Sequence, residues 1–451
     1  MILKREVGQT PSLPFLLWTK YWKWLLFIIF PRQGPSYLLV NLRLYKNRDS
    51  RVGPKEEFIV TRLDFADTEK AFAPRTDQAL KQSYWLFKAL SFPSVVAMGP
   101  TFTDCALKLK LPVKGILKAT IFKQFCGGES VDDCQKTIDW LYENQVGTIL
   151  DYATEGFDSD ENFDRTLNQI LECIQKAQKE QAIPFCVFKP TGVIPFSLME
   201  KASIDHKLTK QEQAALDRGV ARFEKICHQG ADRGVPVFVD AEETWIQPFV
   251  DKLVGQMMRT YNRSRAIIYN TVQMYRHDRL KFLDRLIKEA TAENFQIGVK
   301  VVRGAYLEKE NDRAARLGIE SPLYQSKEET DAAYDEAIDL LMKNVDRCYI
   351  CAGTHNEEST KKFTKLILES GRDLKDPRFY FAQLLGMSDH LTFNLASSRF
   401  ATAKYVPYGP LEDVLPYLAR RARENSSVKG QTGRELRLIR EELDRRQRSH
   451  E

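Results

Sequence analysis

The 451-residue sequence has no segment suited to crossing a membrane. Its most apolar stretch, Pro14 to Phe30 (PFLLWTKYWKWLLFIIF), is interrupted by Lys20 and Lys23. The uncharged run after them, Trp24 to Phe30, falls far short of the ~20 residues a span needs. No small-residue cleavage site follows, which argues against a secretory signal. The first 30 residues are also Ser-poor and lack the Arg-rich amphipathic pattern of a mitochondrial transit peptide. Cysteine is sparse and scattered, eight in all, so a disulfide framework is excluded and a reducing compartment is expected. No two of the 23 glycines lie two positions apart, so the G-x-G-x-x-G loop of a dinucleotide fold is absent, as is a Walker A string. Lys and Arg number 67 against 61 Asp and Glu. The resulting +6 is too weak over this length to argue for nucleic acid, although it suits an anionic substrate or a membrane surface.

Hydrophobic residues make up 43% and charged residues 28%, an ordinary globular balance that excludes disorder and collagen-like repeats. The length would allow about three average domains, but a single α/β barrel alone takes ~250 residues or more. By pattern the chain divides into an extension over 1–59, a helical arm over 60–145, a repeating region over 146–427 and a highly charged helix and tail over 428–451. In the arm, TDQALKQSYWLFKAL is the clearest amphipathic helix. Most of the charged tail reads as a solvated face. The extension reads either as an interfacial anchor, with aromatic rings at the headgroup level and lysines snorkelling, or as a non-functional lead from an upstream start codon.

Between Gly147 and Gly409 one grammar repeats: a short β-branched or aromatic run, a polar residue at its end, then a helical stretch. The runs are TILDY (148–152), PFCVFKPTG (184–192), PVFVDAEE (236–243), AIIYNTVQMY (266–275), IGVKVVRGAY (297–306), RCYICAGTHN (347–356), RFYFAQLLGM (378–387) and AKYVPYG (403–409). The intervals are long enough for crossover helices, so the strands should be parallel. Eight such units predict an α/β fold, a (βα)8 TIM barrel rather than an open doubly wound sheet, which normally offers a glycine-rich loop. Chemistry in a barrel gathers where its strands end. Those ends carry Asp151 and Glu155, Lys189, Asp240 with Glu242 and Glu243, Gln273, Arg303 and Tyr306, His355 and Asn356, Gln383, and Tyr405. Singly, each reads as a cap or a surface charge. Polar groups ending all eight strands predict an enzyme and leave its reaction open.

The last helical stretch is PLEDVLPYLARRAREN (410–425), with Pro410 suited to a first turn. Tyr417, Arg420, Arg421 and Glu424 are spaced i, i+3, i+4 and i+7, on one face. Two neighbouring guanidiniums fit a bidentate grip on a substrate carboxylate. An isolated Arg pair would read as a solvated basic helix, but Tyr417 and Glu424 complete a charge-balanced cup around this one. Cys348 and Cys351 form a lone C-x-x-C, which reads as core packing, and one strand-end histidine, His355, does not make a metal site. No metal is expected. Asp240, Glu242 and Glu243 remain open to use as a hydrolase acid/base pair.

The segments FVDAEETWIQ, KVVRGAYLEKE, GTHNEES, FAQLLGMSDH and KYVPYGPLEDVLPYLARRARENSS resemble proline dehydrogenase, and the likeness runs from about Phe65 to Arg445. It implies a distorted (βα)8 barrel with its last helix over the mouth and FAD held non-covalently at the strand ends. It also implies oxidation of L-proline to Δ1-pyrroline-5-carboxylate, with electrons passing to a membrane quinone. By the same resemblance, Arg420 and Arg421 bind the proline carboxylate. Lys189, Asp240 and Glu155 match the charged lining of the pocket, and Tyr306, Leu384, Tyr405 and Tyr417 match its walls. Lys189, Asp240, Tyr306 and the two arginines form the implied catalytic set. Gln273, Lys300, Val302, Gly304 and His355 match flavin-contacting positions, Arg303 and Asn356 are their neighbours, and Glu424 matches the acid that holds the arginine pair. Bifunctional bacterial members usually have Arg in place of Lys300, and nothing here resembles an aldehyde dehydrogenase. The expectation is a monofunctional, eukaryote-like member whose product goes to a separate pyrroline-5-carboxylate dehydrogenase.

The flavin is the electron sink, so the protein has to place proline C5 and exclude water. Lys300 or Arg303 is the expected cation beside N1–C2=O of the flavin, and Lys189 or Asp240 is expected to influence the proton leaving the amine. Tyr405 at the ring edge should exclude a 4-hydroxyl group. The competing readings are a hydroxyproline dehydrogenase of the same family, a colourless barrel hydrolase, and an inactive barrel kept as a membrane or partner-binding module. The expected location is a bacterial cytoplasm with peripheral attachment to the inner membrane, the alternative being the matrix side of the mitochondrial inner membrane.

Overall fold

The computed structural model describes residues 63–92, 113–153, 158–427 and 431–449. The 1–59 extension and Glu155 lie outside the described residues. Eight parallel strands close into a barrel in chain order: β1 Val146–Tyr152, β2 Phe185–Phe188, β3 Val237–Val239, β4 Ile268–Gln273, β5 Ile297–Val302, β6 Cys348–Gly353, β7 Phe379–Leu384 and β8 Thr402–Tyr408. Each overlaps one of the eight sequence runs, and β8 returns to pair with β1 along its full length. Every residue of β4 and of β8 is buried, because helices cover the outside and side chains fill the inside.

Before the barrel lie α1 Thr68–Phe72, α2 Asp77–Leu90 and α3 Gln135–Glu143, with a helical stretch over 113–125 between α2 and α3. The crossovers are α4 Asp160–Lys179, α5 Phe196–Ser203, α6 Lys210–Arg233, α7 Gln247–Tyr261, α8 Arg279–Glu293, α9 Leu307–Leu317, α10 Lys327–Lys343, α11 Glu357–Glu369 and α12 Asp389–Ser397. After β8 come α13 Leu415–Ser427 and α14 Gln431–Arg448. Local chemistry sets several of these ends. Thr209 with Glu212 and Ser326 with Glu329 form capping boxes that open α6 and α10, and Gly234, at φ 66°, closes α6 in the left-handed conformation.

The interior of the barrel is aromatic. Phe185 stacks on Phe238 with centroids 4.3 Å apart, and Tyr269, Tyr380 and Tyr405 complete the layer. Gly298 makes room for it, since a Cβ there would come within 2.6 Å of the Tyr269 ring. A larger aliphatic core lies between strands and helices, and both Cys348 and Cys351 are buried free thiols within the strand layer.

Two sequence expectations are corrected. The helix expected from Pro410 begins at Leu415, because Pro410 opens a turn whose carbonyl accepts from Asp413 and Val414. The tail is solvated along one side only. Leu438 and Ile439 of α14 are buried with residues of α1, α2 and α13, and Glu442 is fully buried. Arg446 donates to the Phe72 and Arg75 carbonyls at 2.8 Å and to Asp77 at 2.7 Å, fastening α14 to the arm.

Candidate active site

Asp240, just after β3, meets Lys300 of β5 and Tyr405 of β8. The Lys300 ammonium pairs with Asp240 Oδ1 and donates to the Tyr405 hydroxyl at 2.5 Å. The Tyr405 O–H in turn donates to Asp240 Oδ1 at 3.3 Å. Lys300 also lies 4.6 Å from the Tyr405 ring centroid and 5.5 Å from that of Phe238. Burial pushes the Tyr405 phenol well above its ordinary pKa, with the Asp240 charge adding to it, so this hydroxyl stays protonated. The sequence assigned Lys300 to the cofactor and its two partners to the substrate. In the fold they are one hydrogen-bonded unit.

Lys189, following β2, reaches across to Asp151 at the end of β1, at 3.0 and 3.1 Å. Lys189, Tyr306 and Arg420 line a cavity of about 430 Å³ at the strand ends, together with Glu242, Glu243 and Lys309. That volume lies within the range of small-molecule sites. Glu242 accepts the Thr191 N–H at 3.1 Å and the Thr191 hydroxyl at 2.7 Å, and burial pushes its carboxyl up to about 7. Glu243 is paired to Lys309 at 2.9 Å. Each of the two glutamates thus has a partner of its own, and Asp240 is paired with Lys300.

Over the mouth, α13 divides its arginines. Arg420 lines the cavity, whereas Arg421 is buried against Glu424 at 2.7 Å, with its guanidinium 5.1 Å from the Tyr417 ring centroid. Arg421 Nε and the Tyr417 hydroxyl are buried with no hydrogen-bond partner among the described residues. Burial raises the Glu424 carboxyl, with Arg421 and Arg420 pulling the other way. Leu384 ends β7 and packs between the barrel-interior cluster and the cluster under α13.

The positions expected to hold a cofactor follow β4, β5 and β6. Gln273 donates from Nε2 to the Glu242 carbonyl at 3.0 Å, while its Oε1 is buried without a partner among the described residues. Gln273 and Val302 are register partners, so both sit on the β4–β5 rim. Gly304 has φ 132°, and a Cβ there would lie 2.5 Å from the Tyr275 ring, so only glycine fits. Arg303 donates to Asp331 at 2.6 Å, Thr354 at 2.7 Å and Ser359 at 2.9 Å, with Tyr334 beneath it. His355 Nδ1 lies 2.9 Å from Ser388 Oγ. Burial first, then the nearby cations Lys404 and Arg421, depress its pKa to about 3, so the ring is neutral. Asn356 is the N-cap of α11, accepting from the Ser359 N–H at 3.1 Å, the cap role open to any strand-end residue. Gln383 is likewise structural, tied to Thr354 and Thr392.

One cluster escaped the sequence reading. Lys404, fully buried in β8, pairs with Asp389 at 2.9 Å and donates to the Met387 carbonyl at 2.5 Å. Asp389 also binds Arg75 at 2.9 Å, and Glu435 of α14 accepts the Ser388 N–H at 2.5 Å. A lysine inside the apolar run AKYVPYG was the available signal. Its partner lies on another element, so pattern alone could not supply it.

A family model described as proline dehydrogenase matches residues 134–434. This chain belongs to the proline dehydrogenase family. It is 31% identical over 448 residues to the mitochondrial proline dehydrogenase 1 of Dictyostelium discoideum, covering 88% of this chain and 78% of that one. It is 37% identical over 333 residues to the carbapenem antibiotics biosynthesis protein CarD of Pectobacterium carotovorum subsp. carotovorum, covering 74% and 86%. Among solved structures, proline utilization A (PutA) from Bdellovibrio bacteriovorus, inactivated by N-propargylglycine, superposes with a TM-score of 0.63 at 18% identity, which shows the fold. The alignment covers 83% of this chain and 41% of that one. The cavity and the Asp240–Lys300–Tyr405 unit therefore belong to a proline dehydrogenase barrel.

Proposed function

We propose that this enzyme oxidises L-proline to Δ1-pyrroline-5-carboxylate using FAD, with a membrane quinone as electron acceptor and a separate pyrroline-5-carboxylate dehydrogenase taking the product. The observation that carries the reading is the convergence of Lys189, Tyr306 and Arg420, from β2, the β5 end and α13, on one cavity. Arg420 supplies a carboxylate grip there, supported by Arg421 behind it. Tyr306 offers a wall for the pyrrolidine ring, and Tyr405, which does not line the cavity, is given the ring's far edge by the resemblance alone. Lys189, its charge balanced by Asp151, is assigned the polar side of the pocket where the amine lies.

The residues fit a flavin. A buried amide with an orphaned oxygen, Gln273, lies on the rim where the isoalloxazine is expected, and the neutral His355 lies beyond β6. A bound flavin would supply the acceptor for the hydride from C5, while the nitrogen gives up only a proton. The chain's part is to hold the ring against it, exclude water, and keep Lys300 as a fixed positive charge near the site of reduction.

Peripheral membrane attachment follows from a quinone acceptor, and among the described residues no helix is long and apolar enough to cross a membrane. The sequence favours a bacterial inner membrane, while the relatives named mitochondrial support the alternative of the mitochondrial inner membrane. The CarD relative bears an antibiotic-biosynthesis name, so the fate of the product is a separate question from the oxidation. The test is an absorbance spectrum of the pure protein, recorded without air before and after L-proline. Flavin bands in the blue and near ultraviolet that bleach on addition are expected. A colourless protein, or one that keeps its colour, refutes the proposal.

A further inference from the structure

We infer that residues 241–244, the segment leaving β3, are a hub that sets where Asp240, Lys189 and Tyr306 stand relative to one another, with Glu242 and Glu310 as its positioning residues. This rests on the reading of those three as pocket residues. Glu242 takes both donors of Thr191, the residue two places beyond Lys189. Thr244 sends its N–H and its hydroxyl to Glu310 Oε1 and Oε2, each at 2.7 Å, and Glu310 lies four places beyond Tyr306. Gln273 holds the Glu242 carbonyl from β4 at 3.0 Å. Through Glu242 and Thr244 this segment thus ties the ends of β2 and β4, and the helix α9 that follows Tyr306, to the end of β3.

The form of the tie matters. A carboxyl group that accepts from both donors of one threonine makes a two-point contact, fixing orientation as well as distance. Glu242 is 6% exposed and Glu310 1%, so neither clasp is diluted by water. The motif occurs twice, at Glu242 and at Thr244, in the segment that follows Asp240. Neither glutamate has acid/base work in the proposed reaction. A displacement of about 1 Å at a reacting centre can cost about a hundredfold in rate, so fixing these loops bears directly on catalysis.

The experiment compares Thr244→Val and Thr191→Val, which keep shape and lose the hydroxyl, with Thr244→Ser and Thr191→Ser, which keep both donors. Glu310→Gln is measured beside them for hydrogen–deuterium exchange. Each Val variant should raise KM for L-proline by about tenfold, short of the about hundredfold that a full 1 Å misplacement can cost, and each Ser variant should restore it. Val variants that melt earlier yet keep the wild-type KM would reduce the clasps to scaffolding and overturn the inference. Glu310→Gln should speed exchange over 240–246 and also over 188–192, which the Glu242–Thr191 clasp joins to the hub. Unchanged exchange over 188–192 overturns it as well. A wild-type protein that ignores L-proline but shows the coupled exchange would sink the substrate reading and leave the hub standing.

Discussion

Replacing Tyr405 by Phe deletes one oxygen from the buried unit and leaves its ring in place. The ring keeps its near-parallel stacking on Phe238 (6.5 Å, 7°) and its contact with the Lys300 ammonium. What is lost is the 2.5 Å hydrogen bond from Lys300, a charge-assisted one, worth about 1.5–3 kcal/mol. At about 2.1 cal/mol/K of unfolding entropy per residue, 451 residues give about 0.9 kcal/mol/K, so the melting midpoint should fall by about 2–3 °C. Lys300→Met goes further, because it strands the Asp240 carboxylate. Breaking a buried ion pair from one side costs about 3–5 kcal/mol, and the 16% exposure of the Asp240 side chain sets the low end. In that background the Tyr405 hydroxyl keeps only its 3.3 Å contact with Asp240, so deleting it should cost much less. The assay is a double-mutant cycle by denaturant or thermal unfolding, with an expected coupling of about 1.5–3 kcal/mol. Additivity of the two substitutions within about 0.5 kcal/mol would refute the buried unit.

Three further predictions bear on other parts of the site. Arg420→Met and Arg421→Met should each weaken L-proline by about 1.5–3 kcal/mol, seen as a higher KM, with Arg420 the larger because it lines the cavity; an unchanged KM in both removes them from the site. Tyr405→Ser should raise kcat/KM for 4-hydroxyproline relative to proline, and a constant ratio would end the steric account of specificity. Asp389→Asn should destabilise the protein by about 3–5 kcal/mol near neutral pH by leaving Lys404 buried and unpaired. Burial alone would raise the Asp389 carboxyl, but Lys404 and Arg75 hold it at about 2, below its ordinary 3.8. Its contribution is therefore present above pH 3.8 and fades as pH falls through about 2, so wild type and variant should converge in acid. A stability gap that widens on acidification contradicts that pairing.

The barrel was legible because its signals are local. A run such as AIIYNTVQMY carries its own strand propensity, and crossover length alone makes successive strands parallel. The strand-end residues were legible for the same reason, as was the Tyr417–Arg421–Glu424 face, which is fixed by helical spacing. The tail misled because its charges outnumber its apolar residues. Yet Leu438 and Ile439 suffice to bury one side, and Glu442 joins them only because Arg445 and Arg446 neutralise it.

Sequence by itself determined the order of elements, the closure into eight units and the kinds of side chain offered at the mouth, since each depends on neighbours within a turn or a strand. The tertiary structure alone decided the partnerships. Lys300 meets Asp240 across 60 positions and Tyr405 across 105, Glu242 is consumed by Thr191, and Lys404 finds Asp389 from another element. Barrel register and closure bring such residues together, and no local pattern encodes which inward-facing side chains will share a level.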